Sequence, residues 1–91
     1  MNKRRFLQIT KALGDARRFE IFERIAADEG EISCIDLRAA IPITRATMSH
    51  HVKELATAGL IERRRKSKYM FLRVRRKTWS QYLERMSQVV R

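Results

Sequence analysis

Between Thr44 and Gly59 the sequence TRATMSHHVKELATAG places Met48, Val52, Leu55 and Ala56 at i, i+4, i+7 and i+8. That spacing predicts a helix with one buried stripe. Thr44 is a good N-cap and Gly59 a good terminator, so both ends of the helix are written locally. The opposite face displays Arg45, Ala46, Ser49, His50 and Lys53, with Thr44 and Thr47 at its N-terminal end. Small hydroxyls with one Arg and one His suit close approach to base edges and phosphates.

Two adjacent histidines also raise metal binding and acid–base catalysis. Neighbouring helical positions point about 100° apart, so His50 and His51 cannot chelate one metal from one face. The chain has no third His. His50 therefore reads as a DNA-facing side chain, whereas His51 lies off the strip and reads as solvated or touching a phosphate. Paired carboxylates, a nucleophile–base set and a phosphate-cradling Gly loop are all missing, which argues against an enzyme.

The elements around this helix follow from the same signals. A first helix from about Arg4 to Leu13 carries Phe6, Ile9 and Leu13 on one face and ends at Gly14. Asp15 N-caps a second helix to about Asp28, with Phe19, Phe22, Ile25 and Ala26 on one face and Gly30 closing it. A short third helix follows Ser33, with Ile35, Leu37 and Ala39 or Ala40 available for packing. Pro42 disfavours a helical Ile41, so Ile41–Ile43 is a tight connection to the fourth helix. After Gly59 the period becomes two: Tyr69, Phe71 and Arg73 alternate with Met70, Leu72 and Val74. Leu60–Arg65 can pair with them as a hairpin tipped by Lys66-Ser67-Lys68. A last helix, about 78–90, holds Trp79, Leu83, Met86 and Val90 at i, i+4, i+7 and i+11. The predicted fold is mostly α with a small β-hairpin, in the order α-α-α-α-β-β-α. Helices three and four form a helix-turn-helix, and the hairpin makes it a winged one.

Charge is segregated along this order. The 91 residues carry a net charge of +11. Leu60 to Lys77 holds nine cations against one carboxylate, Glu62, whereas Gly14 to Leu37 is net negative. Such a distribution points to a polyanion meeting one end of the molecule. The wing supplies Arg64, Arg65, Lys66 and Lys68 for phosphates. Lys3, Arg4 and Arg5 add a second small basic cluster.

One cysteine, Cys34, rules out an internal disulfide and suits a reducing compartment. No apolar run approaches a membrane span, and the basic N-terminus lacks the continuous apolar core of a signal peptide. A cytoplasmic protein without a membrane partner or cofactor is expected. The length fits one small domain, 1–91, which buries a modest share of its surface and is aided by a partner subunit. Two terminal helices with apolar faces exceed what such a core needs.

TRATMSHHVKELATAGLI resembles the recognition helix of the ArsR/SmtB repressors, whose pattern runs roughly S-x-S-T-V-S-H-H-L-K-x-L-x-x-A-G-L-V. ERRRKSKYMFLRV is similar to their wing, and KALGDARRFEIFERI to their leading L-x-D-P-T-R-x-x-I-L segment. The resemblance spans nearly the whole chain. It implies a homodimeric repressor bound to a pseudo-palindromic operator on double-stranded DNA. It also implies a dimer interface on the terminal helices, through Phe6, Ile9, Leu13, Trp79, Leu83, Met86 and Val90.

The departures concern sensing. EISCIDL lines up with the family's metal-binding E-L-C-V-C-D-L, but Ser33 and Ile35 stand at the two thiolate positions with Cys34 between them. The family's other metal site uses His and carboxylates on the last helix, and TWSQYLERMSQVV offers only Glu84. No metal site is expected. Cys34 is a small helix residue or a thiol sensor without a resolving partner. Ala16 replaces a usual Pro, and Ser67 a common Gly at the wing tip. Two other readings keep the fold: an RNA-binding or ribosome-associated winged-helix module, and a protein adaptor docking through the charged wing.

Overall fold

The computed structural model describes residues 1–90. Five helices and three strands run in the order α1 (Lys3–Leu13), α2 (Ala16–Ala27), β1 (Ile32–Ser33), α3 (Cys34–Ala40), α4 (Arg45–Thr57), β2 (Ile61–Lys66), β3 (Tyr69–Val74) and α5 (Arg76–Ser87). This is the expected winged helix-turn-helix with one addition. The two-residue β1 joins the hairpin to give an antiparallel sheet of order β1-β3-β2, pairing Ile32 with Leu72 and Ser33 with Phe71.

Local caps set most boundaries. Asp15 Oδ1 accepts from Arg18 N at 2.9 Å, Ser33 Oγ from Asp36 N at 3.0 Å and Thr44 Oγ1 from Thr47 N at 3.1 Å. Each bond satisfies one of the free N–H groups that open a helix. Gly59 takes φ +82°, closing α4 in the left-handed conformation that costs glycine least. At the other turn, Ser67 takes φ 57° without being glycine. This is the position where Gly is common in the resembling family, and the backbone explains why. α2 ends at Ala27, one residue short of the expected Asp28, which serves as its C-cap in place of closure by Gly30.

One buried cluster draws on every helix and all three strands. Ile9, Ile21, Ile25, Leu37, Leu55, Leu60, Ile61 and Leu72 are its largest fully enclosed side chains. Several expected core positions differ. Phe19 is 40% exposed, because Ile21, Phe22 and Ile25 form the inward face of α2. In α3 only Leu37 is buried; Ile35 is 50% exposed, and Ala39 and Ala40 are exposed as well. The seven-residue helix encloses Leu37, half-buries Cys34 and Arg38, and turns its other residues to solvent.

The terminal helices pack on each other. Thr10 Oγ1 and Tyr82 Oη lie 2.9 Å apart and the Phe6 and Tyr82 rings 5.2 Å, while Trp79 reaches α2, its ring 5.3 Å from that of Phe22. Arg85 adds a guanidinium 5.1 Å from the Phe6 ring centre and a 3.3 Å bond from Nη1 to the Met1 carbonyl. No helix of the described residues is long and apolar enough to cross a membrane.

Candidate nucleic-acid interface

Helix α4 turns Met48, His51, Val52 and Leu55 inward. Thr44, Arg45, Ala46, Thr47, Ser49, His50 and Lys53 are all exposed, so the strip expected from periodicity exists as one continuous surface. Thr44 and Thr47 are partly engaged already. Thr44 Oγ1 accepts the cap bond and donates to Thr47 Oγ1 at 2.8 Å, which shapes the helix start.

His51 departs from expectation. It is 8% exposed rather than solvated, the one buried polar side chain among the described residues. Its Nδ1 has no hydrogen-bond partner. Burial holds its pKa below the ordinary histidine value; the nearby Asp15 carboxylate opposes this, while Arg18, His50 and Arg17 reinforce it.

The wing sorts its cations by strand alternation. The register pairs Arg65 with Met70, Arg63 with Leu72 and Ile61 with Val74, so these six side chains share one face. Towards the tip of that face Arg63, Arg65 and Met70 look across a groove of about 570 Å³ at Arg45, Ser49 and the α3 residue Arg38, while Ile61 and Leu72 are buried in the core. Five cations line the groove: Arg38, Arg45, Arg63, Arg65 and Lys68. No carboxylate is among its lining residues. Cys34, Met48, Val52 and Met70 contribute its apolar part. Burial pushes the Cys34 thiol pKa up, with Arg38 and Arg63 pulling it back, so at neutral pH it stays a protonated thiol rather than a reactive thiolate.

Arg64 belongs to the opposite face. Its guanidinium donates to Glu31 through Nε, at 3.2 Å, and Nη2, and lies 5.6 Å from the Phe71 ring centre. The hydrogen bond from Arg64 draws the Glu31 pKa below the usual carboxylate range. On the same face Glu62 holds Arg73 and, at 3.6 Å, Arg75. Glutamates thus engage cations of the outer face, and none lines the inner groove. The expected three-residue tip is instead a two-residue turn: Lys66 ends β2 and Lys68 lies in the turn beside Ser67, its Nζ 5.5 Å from the Tyr69 ring centre. Sequence reasoning passed over two groove cations, Arg38 on α3 and, on the wing, Arg63. Sequence could have found Arg63 by fixing the hairpin register from a two-residue turn.

The terminal-helix positions divide as well. Ile9 is fully enclosed in its own protomer, so it has no surface left for a partner. Phe6, Leu13 and Trp79 are half-buried against the core. Leu83 and Met86 are exposed on α5, joined by Leu7 on α1. Val90 lies beyond the end of α5 rather than within it, and Tyr82, unremarked in the stripe, is the residue α5 buries. No group of three or more His, Cys, Asp or Glu that could hold a metal is assembled among the described residues.

Known proteins share this architecture. Residues 13–64 match the family described as a helix-turn-helix domain. The arsenical resistance operon repressor ArsR2 of Halobacterium salinarum is 36% identical over 66 residues, 71% of this chain and 55% of that protein. The chain thus spans about half of that relative's length. The HTH-type transcriptional regulator YceK of Bacillus subtilis is 34% identical over 76 residues, 84% of this chain and 76% of that one. Among solved structures, an ArsR-like transcriptional regulator from Rhodococcus sp. RHA1 superposes with a TM-score of 0.82 at 19% identity, covering 93% of this chain and 78% of that one. A homodimeric winged helix-turn-helix DNA-binding domain from Mycobacterium bovis does so at 0.75 and 25% identity, covering 94% and 77%. From the matched helix-turn-helix segment and its relatives, the chain belongs to the ArsR family of helix-turn-helix transcriptional regulators.

Proposed function

We propose that this protein is a homodimeric repressor that reads a two-fold operator on double-stranded DNA. In this reading α4 enters the major groove and the wing follows the adjacent backbone. The observation that carries the reading is the groove between α4 and the inner wing face, lined by five cations and no carboxylate. A polyanion is the partner that such a surface attracts, and a helix beside a hairpin fits successive grooves of one duplex. The dimer surface in this reading is Leu7, Leu83 and Met86, with the edges of Phe6, Leu13 and Trp79.

Arg45, Ser49 and His50 would meet base edges, and Arg63, Arg65 and Lys68 would meet phosphates. Arg64 instead holds the wing to Glu31, the residue before β1. Two outcomes follow. Arg45→Ala is expected to cost roughly 1–3 kcal/mol and to relax preference at particular base pairs. Arg63→Ala is expected to weaken all duplexes alike and to reduce the salt slope by about one unit, while Arg64→Ala leaves the slope unchanged. Operator selection from random duplexes, then anisotropy titrations of the three variants on selected and scrambled DNA across a salt series, measures both. Equal slopes for wild type and Arg63→Ala, with a reduced slope for Arg64→Ala, would reverse the assignment of the two wing faces. Failure to select any duplex would remove the proposed function itself.

A further inference from the structure

The recognition helix is finished by a residue from another helix. The last carbonyls of α4 lack partners within the helix. Backbone groups take three of them: Ala58 N donates to Glu54 O at 3.0 Å, Leu60 N to Leu55 O at 3.1 Å and Gly59 N to Ala56 O at 3.0 Å. The last two bonds make a Schellman closure. The Thr57 carbonyl remains, and Arg5 Nη1 of α1 donates to it at 3.2 Å. No cation stands in the last turn of α4 itself. The Arg5 guanidinium therefore brings both a donor and a positive charge to the negative end of the helix.

Gly59 makes room for that approach. A Cβ there would lie 3.2 Å from Arg5 Cζ and would overlap Nη1. Glycine thus suits the φ of +82° at this position and leaves the Arg5 guanidinium free to cross it, whereas a side chain there would displace the guanidinium. Arg5 sits on the helix that α5 grips through Phe6, Thr10 and Met1.

We infer that Arg5 is a positioning residue: it fixes the recognition helix to the α1–α5 unit and so sets which half-site spacing a dimer accepts. This rests on the proposed operator-binding dimer, whose two-fold partner surface lies on α1 and α5. With both recognition helices tied to that unit, their separation is set by the dimer rather than by the DNA. Without Arg5 each α4 keeps its core packing but gains freedom at its C-terminal end.

The test uses the full chain, the selected operator and a second duplex with its half-sites one base pair further apart. Wild type is expected to discriminate between them by about tenfold, within the usual range of coupling between sites. Arg5→Met keeps the aliphatic stem and removes the guanidinium. It is expected to bring the two affinities within about threefold of each other while the dimer constant, from sedimentation, stays at the wild-type value. Arg5→Lys, which keeps the charge, is expected to restore part of the discrimination. Amide exchange on the free protein gives a second, DNA-independent reading: faster exchange at Gly59 and Leu60 in Arg5→Met, with Leu72 unchanged. Undiminished spacing discrimination in Arg5→Met overturns the inference, as does a loss that tracks dimer dissociation. If wild type binds no duplex, the functional reading fails. The exchange result then decides alone, and unchanged protection at Gly59 and Leu60 overturns the inference.

Discussion

Leu83→Asp is expected to convert a dimer into a stable monomer and to lower operator affinity by about two orders of magnitude. Leu83 is 47% exposed in the protomer, with Met86 and Leu7 exposed on the same pair of terminal helices. Beneath them Trp79, Phe6 and Tyr82 already pack inward, so the protomer does not need Leu83 for its own core. A carboxylate there should change protomer stability by no more than about 0.5 kcal/mol, as for surface positions generally. Across a two-fold interface the same substitution occurs twice and places two like charges where apolar contact was required. Losing the second half-site removes the gain from bivalent binding, typically about 10²-fold or more. Sedimentation at micromolar concentration should show twice the 10.8 kDa chain mass for wild type and the single mass for Leu83→Asp. A wild type that sediments as a monomer ends the dimer proposal. A variant that dimerises normally moves the interface elsewhere.

The helix ends were legible because each is local chemistry. Asp15, Ser33, Thr44 and Gly59 act on backbone groups within three residues or so, and all four stand where expected. What escaped depended on partners distant in sequence. β1 has two residues, too few for a period, and exists because β3 offers a free edge to Ile32 and Ser33. Ile9 and Leu83 both belong to apolar stripes, and periodicity does not say whose surface covers a stripe. Three-dimensional packing separates them: Ile9 fills its own protomer and Leu83 does not.

The wing shows how small an error redistributes function. A three-residue tip over Lys66-Ser67-Lys68 leaves the strand register open, whereas the structure pairs Lys66 with Tyr69 around a two-residue turn. A shift of one residue sends alternate side chains to opposite faces. That shift is the difference between Arg64, occupied by Glu31, and Arg63, which faces the groove. His51 was hidden for another reason. With Met48, Val52 and Leu55 it completes an i, i+3, i+4, i+7 stripe, but its polarity masks its membership.

That buried imidazole should make stability fall in mild acid. His51 packs where α4 meets the start of α2, with Asp15, Arg17 and Arg18 on that side and His50 beside it on its own helix. Burial lowers its pKa in the folded protein from the ordinary 6.5. The unfolded chain consequently takes up the proton at higher pH than the folded one does. Stability is therefore fully present above about pH 6.5 and is lost as pH falls from there toward the lower folded value. Asp15 works in the same direction at a different place. Its carboxylate is held below 3.8, mainly by the Arg18 backbone N–H, so its contribution disappears only in stronger acid. The two windows are separable in one titration. His51→Leu should flatten the upper window. It should also hold or raise stability at pH 7.5, since an unpaired buried nitrogen costs about 1–3 kcal/mol. His51→Lys should do the reverse, destabilising by roughly a few kcal/mol, because desolvating an ammonium there costs more than the nearby Asp15 carboxylate returns. His50→Leu, on the exposed strip, should alter the thermal profile far less than His51→Leu does. Melting curves of the four proteins between pH 7.5 and 5 provide the check. A His51→Leu profile as steep as wild type would show that the acid sensitivity arises elsewhere. A well-folded His51→Lys at neutral pH would show that this side of α4 admits water.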